Sequence, residues 1–183
     1  MKSLSIKNFK LLIFVLCVSV PLAMTAQVGG WKPDLVADSQ KALDTMIKQK
    51  PKLQSFKDKS YGYAVFPRVT KGAVGIGGAG GKGIVFKNHE PMGQSTLKQA
   101  TIGFQLGGQQ YVEVIFFENQ KAYDKFTNKK VKFSGQASAV AIKPGVSVDV
   151  TFKDGMAIFT QTVGGLMYEA SIGGQHFSFK PKK

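Results

Sequence analysis

Between Tyr61 and Phe117, bulky apolar residues alternate with glycine or polar ones. Val74-Gly75-Ile76-Gly77 and Ile102-Gly103-Phe104-Gln105-Leu106 place every second side chain on one face, the period of a strand with one buried face. A helix is excluded there, because each interior glycine costs about 1 kcal/mol relative to alanine. The glycines must serve bulges, bends or the close approach of another chain segment. The pattern predicts strands over 61–66, 73–78, 83–87, 100–106 and 111–117, then over 131–133, 138–142, 147–152, 156–162, 166–172 and 176–179. Ahead of them, Leu35, Val36, Leu43, Met46 and Ile47 recur at helical spacing behind Pro33, predicting a helix over 34–48. A shorter helix over 51–59 buries Leu53 and Phe56 beneath lysines, and a third over 119–126 starts at Asn119 with Ala122, Tyr123 and Phe126 inward. Asp154-Gly155, Gly107-Gly108, Gly164-Gly165 and Gly173-Gly174 each separate two alternating runs at hairpin spacing, so successive strands are expected to be antiparallel. The polar stretch 87–99 reads as an exposed hairpin loop. The expected fold class is α+β, mainly β: short N-terminal helices packed on a glycine-rich antiparallel β-sheet curled into a barrel or sandwich.

The chain start changes this picture by one segment. Lys2, Lys7 and Lys10 precede the apolar run 11–20 and the small-residue ending Ala23-Met24-Thr25-Ala26, the order of a secretory signal peptide over 1–26 cleaved before Gln27. The run is shorter than the roughly 20 apolar residues a bilayer requires. Cys17 follows Phe14-Val15-Leu16, which lack the small residues of a lipobox, and reads as an ordinary residue of the apolar run. Processing leaves no cysteine, which excludes disulfide and thiolate chemistry. Residues 27–183 are then one domain with a core of about 38–179. The 25 basic residues less the three of the leader, against 11 acidic ones, leave a charge of +11. Such a chain seeks anionic partners; export argues against nucleic acid and leaves acidic lipid head groups or other polyanions. The expected location is periplasmic or secreted, peripheral to a membrane.

Candidate chemistry is sparse. Gly75-Ile76-Gly77-Gly78-Ala79-Gly80 matches a GxGxxG string, but strand-like residues follow it and no acid stands at the required spacing, so no nucleotide is expected. Gly83 follows Lys82 where a phosphate loop needs Ser or Thr. His89 and His176 stand apart with no acid or cysteine to complete a metal set. Ser134, Ser138 and Ser171 have no local base, and Glu113 and Glu169 read as outward or cross-strand partners of lysine. No catalytic residue, metal or cofactor is expected. The lysines carry more. Lys41, Lys48, Lys50, Lys52, Lys57 and Lys59 crowd the first two helices with only Asp44 and Asp58 among them, and Arg68 and Lys71 follow. With Leu53 and Phe56 between the charges, this is a basic amphipathic element of the kind that binds membrane surfaces.

Phe66, Pro67, Val69 and Lys71 fit an FPxVxK pattern, and Gly77, Gly78, Gly81 and Gly83 fit GGxxGxG; Gly103, Gln105, Gly107 and Gln109 continue as G-x-Q-x-G-x-Q, and Gly165, Leu166 and Gly174 close the set. On these residues the chain resembles the SYLF (Ysc84-type) lipid-binding family over about 38–179. It departs at Gly80 and Lys82, where relatives often carry an aromatic and an acid, and at Gly164, where they often carry a lysine. The resemblance implies non-enzymatic binding of phosphoinositide-like or other anionic lipid head groups, partly through a basic N-terminal segment. On that reading Lys48, Lys50, Lys52, Lys57, Lys59, Arg68 and Lys71 supply charge and Phe56 supplies apolar insertion. The actin association of eukaryotic members does not carry over to an exported chain. Two rival readings are a carrier with an acyl chain among Phe104, Phe116, Phe159 and Tyr168, and an envelope protein using an exposed strand edge; a hydrolase has least support.

Overall fold

The computed structural model describes residues 32–128, 131–134, 140–141 and 151–182. The leader expected over 1–26 lies outside them, as do most of the strands expected over 138–142 and 147–152. Helix α1 (Pro33–Gln49) and helix α2 (Lys52–Lys59) form where the apolar spacing places them. Proline occupies the first turn of α1, where its missing N–H leaves no bond unmade. Strands β1 (Gly62–Lys87) and β2 (Glu90–Phe117) follow, then helix α3 (Gln120–Asn128), the short strands β3 (Val131–Ser134) and β4 (Val140–Ala141), and finally β5 (Met156–Pro181). The chain is mainly β.

The strands are far longer than the alternation predicts. The segments expected as separate strands over 61–66, 73–78 and 83–87 are one strand of 26 residues, paired along its length with one of 28. Gly107-Gly108, Gly164-Gly165 and Gly173-Gly174, expected as turns, lie within ladders: Gly107 pairs with Ala73 and Met167, and Gly174 pairs with Ala100. The loop expected over 87–99 is also corrected. Only Asn88 and His89 turn there, both with positive φ (49° and 65°), and β2 begins at Glu90. Two consecutive left-handed residues match the right-handed twist of the strands they join. Asp154 and Gly155 make a second such turn, as expected from the sequence.

Sheet order is β1-β2-β5-β3, antiparallel throughout, while β4 pairs with β5 in parallel, contrary to the expected alternation. Among the described residues no ladder joins β1 to β3, so the sheet is not closed into a barrel. It is nevertheless strongly curled. Val65 and Gly83 are eighteen residues apart in β1, about 60 Å along a straight strand, yet a Cβ on Gly83 would strike the Val65 carbonyl and the Phe66 ring. A Cβ on Gly62 would lie 2.6 Å from the Phe86 carbonyl, and one on Gly81 2.8 Å from that of Arg68. The strand therefore doubles back on itself, with its apex near residues 74–76. The neighbouring strands bend with it: Tyr111 donates its hydroxyl hydrogen to Gln99 Oε1 (3.3 Å) within β2, and the Phe66 and Phe177 rings meet at 5.5 Å between β1 and β5. Register shifts at Phe66/Val69, Val74/Ile76, Val85/Phe86 and Gln110/Tyr111 mark irregularities that concentrate the bending.

Curling makes two apolar clusters from alternating residues of the same strands. Val65, Val114, Phe116 and Phe159 face α1 and α2, where Leu43, Met46, Leu53 and Phe56 cover them. Ala64, Phe66, Ile115, Phe117 and Phe177 face the other way and pack with Tyr123 and Phe126 of α3. The glycines at the close approaches leave room for this second cluster, since the two backbone passes touch where a side chain would hold them apart.

Candidate functional site

Beneath α1 the curled sheet leaves a cleft of about 490 Å³. Its polar wall comes from Asp38, Lys41 and Thr45 of α1, Arg68 and Lys82 of β1 and Gln161 of β5; Leu35, Val112 and Val163 contribute apolar surface. Doubling back is what builds it, because Arg68 and Lys82 are fourteen residues apart and meet only where the two passes of β1 run together. Among the described residues, three cations face one carboxylate. Lys41, Arg68, Lys82 and Asp38 are all exposed to solvent, so an anion entering from water meets them without first separating a buried ion pair. Gln161 donates from Nε2 to Gln49 Oε1 (2.7 Å), while its Oε1 is buried without a hydrogen-bond partner. An acceptor left in that state favours a ligand that brings a hydroxyl or N–H donor.

The residues expected from the sequence to bind lipid are distributed differently. Lys48, Lys52, Lys59 and Arg68 are exposed, and Lys50 and Lys57 are half-buried, with the Lys57 ammonium 3.9 Å from Asp44. Phe56 is a correction. It is 9% exposed, with ring centroids 5.0 Å from Phe159, 5.4 Å from Phe152 and 5.9 Å from Phe116. It anchors α2 to the sheet and has no free face for insertion. Lys71 is likewise buried within β1, at 7% exposure. Of the expected set, only Arg68 enters the cleft; Lys82, read from the sequence as lacking the context of a phosphate loop, joins it there, as does Lys41. The positions of Gly81 and Gly83 around Lys82 were the available signal, since close-approach glycines mark where distant strand segments meet.

Phe116 and Phe159, expected to line a cavity on the carrier reading, are fully buried with ring centroids 5.8 Å apart in the filled core beneath α2. The side chains of Phe104 and Tyr168 lie outside the described residues. Glu113, expected to face outward or pair with lysine, is fully buried on the inner face, where Oε2 accepts from Gln175 Nε2 (2.9 Å) and Oε1 has no hydrogen-bond partner. Burial raises its pKa to about 7, against the smaller opposing effect of the Gln175 bond. Among the described residues no helix is long and apolar enough to cross a membrane, which leaves strands out of account.

Fold and cleft together define an α+β domain in which a doubled-back sheet brings cations together under its first helix. Residues 98–182 match the family described as Ysc84, Las17-binding protein actin regulator. The chain is also 28% identical over 138 residues to Beta cell expansion factor A of Aeromonas veronii; the alignment covers 74% of this chain and 52% of that protein, so the chain spans about half the length of this relative. The family resemblance read from the glycine and glutamine motifs is thus found over the C-terminal part of the chain. Most of the cleft, including Lys41, Arg68 and Lys82, lies N-terminal to the matched residues.

Proposed function

We propose that the protein is a non-enzymatic, exported domain that binds anionic lipid head groups at a membrane surface, with a phosphorylated polyol head group in the α1 cleft. The cleft carries this reading: among its described residues, Lys41, Arg68 and Lys82 stand against the one acid Asp38, an arrangement suited to a phosphate ester. Gln161 Oε1 supports the polyol, because a ring or glycerol hydroxyl is a donor of the kind it lacks. The exposed lysines of α1 and α2, Lys48, Lys52 and Lys59, add attraction that is not specific to one head group. The resemblance to a lipid-binding family read from the sequence motifs agrees with this, and the charge of +11 left after removal of the leader draws the domain toward acidic surfaces.

Cosedimentation with vesicles tests the reading. The protein is expected to pellet with vesicles containing acidic lipid, to stay in solution with purely zwitterionic ones, and to dissociate as salt rises toward concentrations where the screening length is about 3 Å. Equal binding to both kinds of vesicle would refute the head-group reading.

A further inference from the structure

At the apex of the bend, side chains normally found in a core face solvent. Val74 is 80% exposed, Ile76 73%, Ile102 71% and Leu106 62%. They are cross-strand partners, Val74 with Leu106 and Ile76 with Ile102, so they project together as one aliphatic cluster. Gly75 lies between Val74 and Ile76, and among the described residues neither apolar cluster includes residues 74–76: α1 and α2 cover Val65, Val114 and Phe116, and α3 covers the strand ends near Gly62 and Phe117. The charge on β1 and β2 around them is positive, while Glu169 of β5 pairs with Gln105 on the neighbouring ladder. Segments 68–82 and 98–110 hold Arg68, Lys71, Lys82 and Lys98 and no acidic residue, with Arg68, Lys82 and Lys98 exposed.

We propose that this apex, with Val74, Ile76, Ile102 and Leu106 leading, inserts into the interfacial layer of an anionic lipid leaflet and fixes how the domain stands on the membrane. The inference rests on the head-group reading above and adds the apolar contact that reading lacks once Phe56 is found in the core. The occupant follows from charge. Aliphatic side chains rimmed by exposed cations match a surface that offers anions above a hydrocarbon layer, whereas a second copy of the chain would bring the same cations against them. Gly75 and Gly77 keep the β1 side of the tip free of polar side chains.

Environment-sensitive fluorescence on the processed chain, residues 27–183, tests this. With no cysteine in that background, an NBD fluorophore is attached at Ile76→Cys, at Ile102→Cys, or at Gln120→Cys on α3 at the other end of the sheet, and mixed with phosphatidylglycerol/phosphatidylcholine vesicles. Probes at 76 and 102 are expected to shift blue and be quenched by nitroxide-bearing lipid, while the probe at 120 stays open to aqueous iodide. Replacing Val74, Ile76, Ile102 and Leu106 with serine should weaken vesicle partition at least tenfold with the circular dichroism spectrum retained. Vesicle binding with both apex probes still aqueous would overturn the insertion and leave the head-group reading standing. A blue shift that needs no vesicles and grows with protein concentration would assign the apex to a second copy instead. Absence of vesicle binding by the unlabelled chain would remove the head-group reading itself, and the insertion with it.

Discussion

Gly83 and Gly72 belong to the same strand and differ in what surrounds them: a Cβ at Gly83 meets the Val65 carbonyl, and one at Gly72 meets nothing within 4 Å. Gly83→Ala should therefore lower stability by about 1–3 kcal/mol, the usual cost of overpacking, whereas Gly72→Ala should leave the urea midpoint nearly unchanged. Paired denaturation curves check both. The same comparison orders Gly81→Val, which strikes the Arg68 carbonyl, as more damaging to folding than Lys82→Ala at an exposed site. Glu113 makes the second residue-scale prediction. Its carboxyl has an ordinary value of 4.5 and is raised to about 7 by burial, so the folded chain holds the proton more tightly than the unfolded one. The resulting stabilisation is complete below pH 4.5 and is lost as pH rises toward 7, by on the order of 3 kcal/mol. Urea unfolding at pH 4.5 and 7.5 should show that loss in the native chain and a much smaller one in Glu113→Gln. Alternation places Glu113 on a face but does not say whether that face is open, and here the curl encloses it; the need for close approach at the glycines, by contrast, is legible in their density.

At the scale of elements, the helices follow their apolar spacing closely because each needs only one buried stripe. Strand length was not legible in the same way. Paired glycines between alternating runs look like hairpin turns, yet Gly107-Gly108 and Gly164-Gly165 have ladder partners on adjacent strands, and it is those partners that keep the chain extended. Two-strand pairing over more than twenty residues is a long-range property that a local window does not contain. The cleft was hidden for the same reason, since Arg68 and Lys82 become neighbours only through the bend. Helix α2 carries a prediction of its own: Phe56→Ala should destabilise by about 3–5 kcal/mol, because its ring holds the helix on Phe116, Phe152 and Phe159. If thermal unfolding of that variant matched the native chain while lipid binding was lost, Phe56 would be an insertion residue after all. Lys48→Gln, Lys52→Gln and Lys59→Gln together should leave the melt unchanged, as these side chains are exposed, and reduce binding to acidic vesicles without abolishing it.

For the whole molecule, the doubled-back sheet accounts for three features at once: the inner cluster around Phe66 and Phe177, the cationic cleft under α1 and the aliphatic apex. All follow from bulges and glycines that let three strands turn at the same level. On the proposed function, cleft and apex act on one membrane, the first through charge and the second through apolar contact, and a long-range positive field brings the chain to the surface. A cation merely near such a surface contributes about 1 kcal/mol and one that holds the phosphate directly contributes more, so removing the three in the cleft should weaken binding by about 100-fold or more, and by more than removing three surface lysines does. The most direct measurement is the affinity of Lys41→Gln/Arg68→Gln/Lys82→Gln for acidic vesicles, set beside Lys48→Gln/Lys52→Gln/Lys59→Gln at equal net charge. A loss near 100-fold for the cleft variant, clearly larger than for the helix variant, is the predicted result; equal losses for the two would mean that only total charge matters and that the cleft holds no head group.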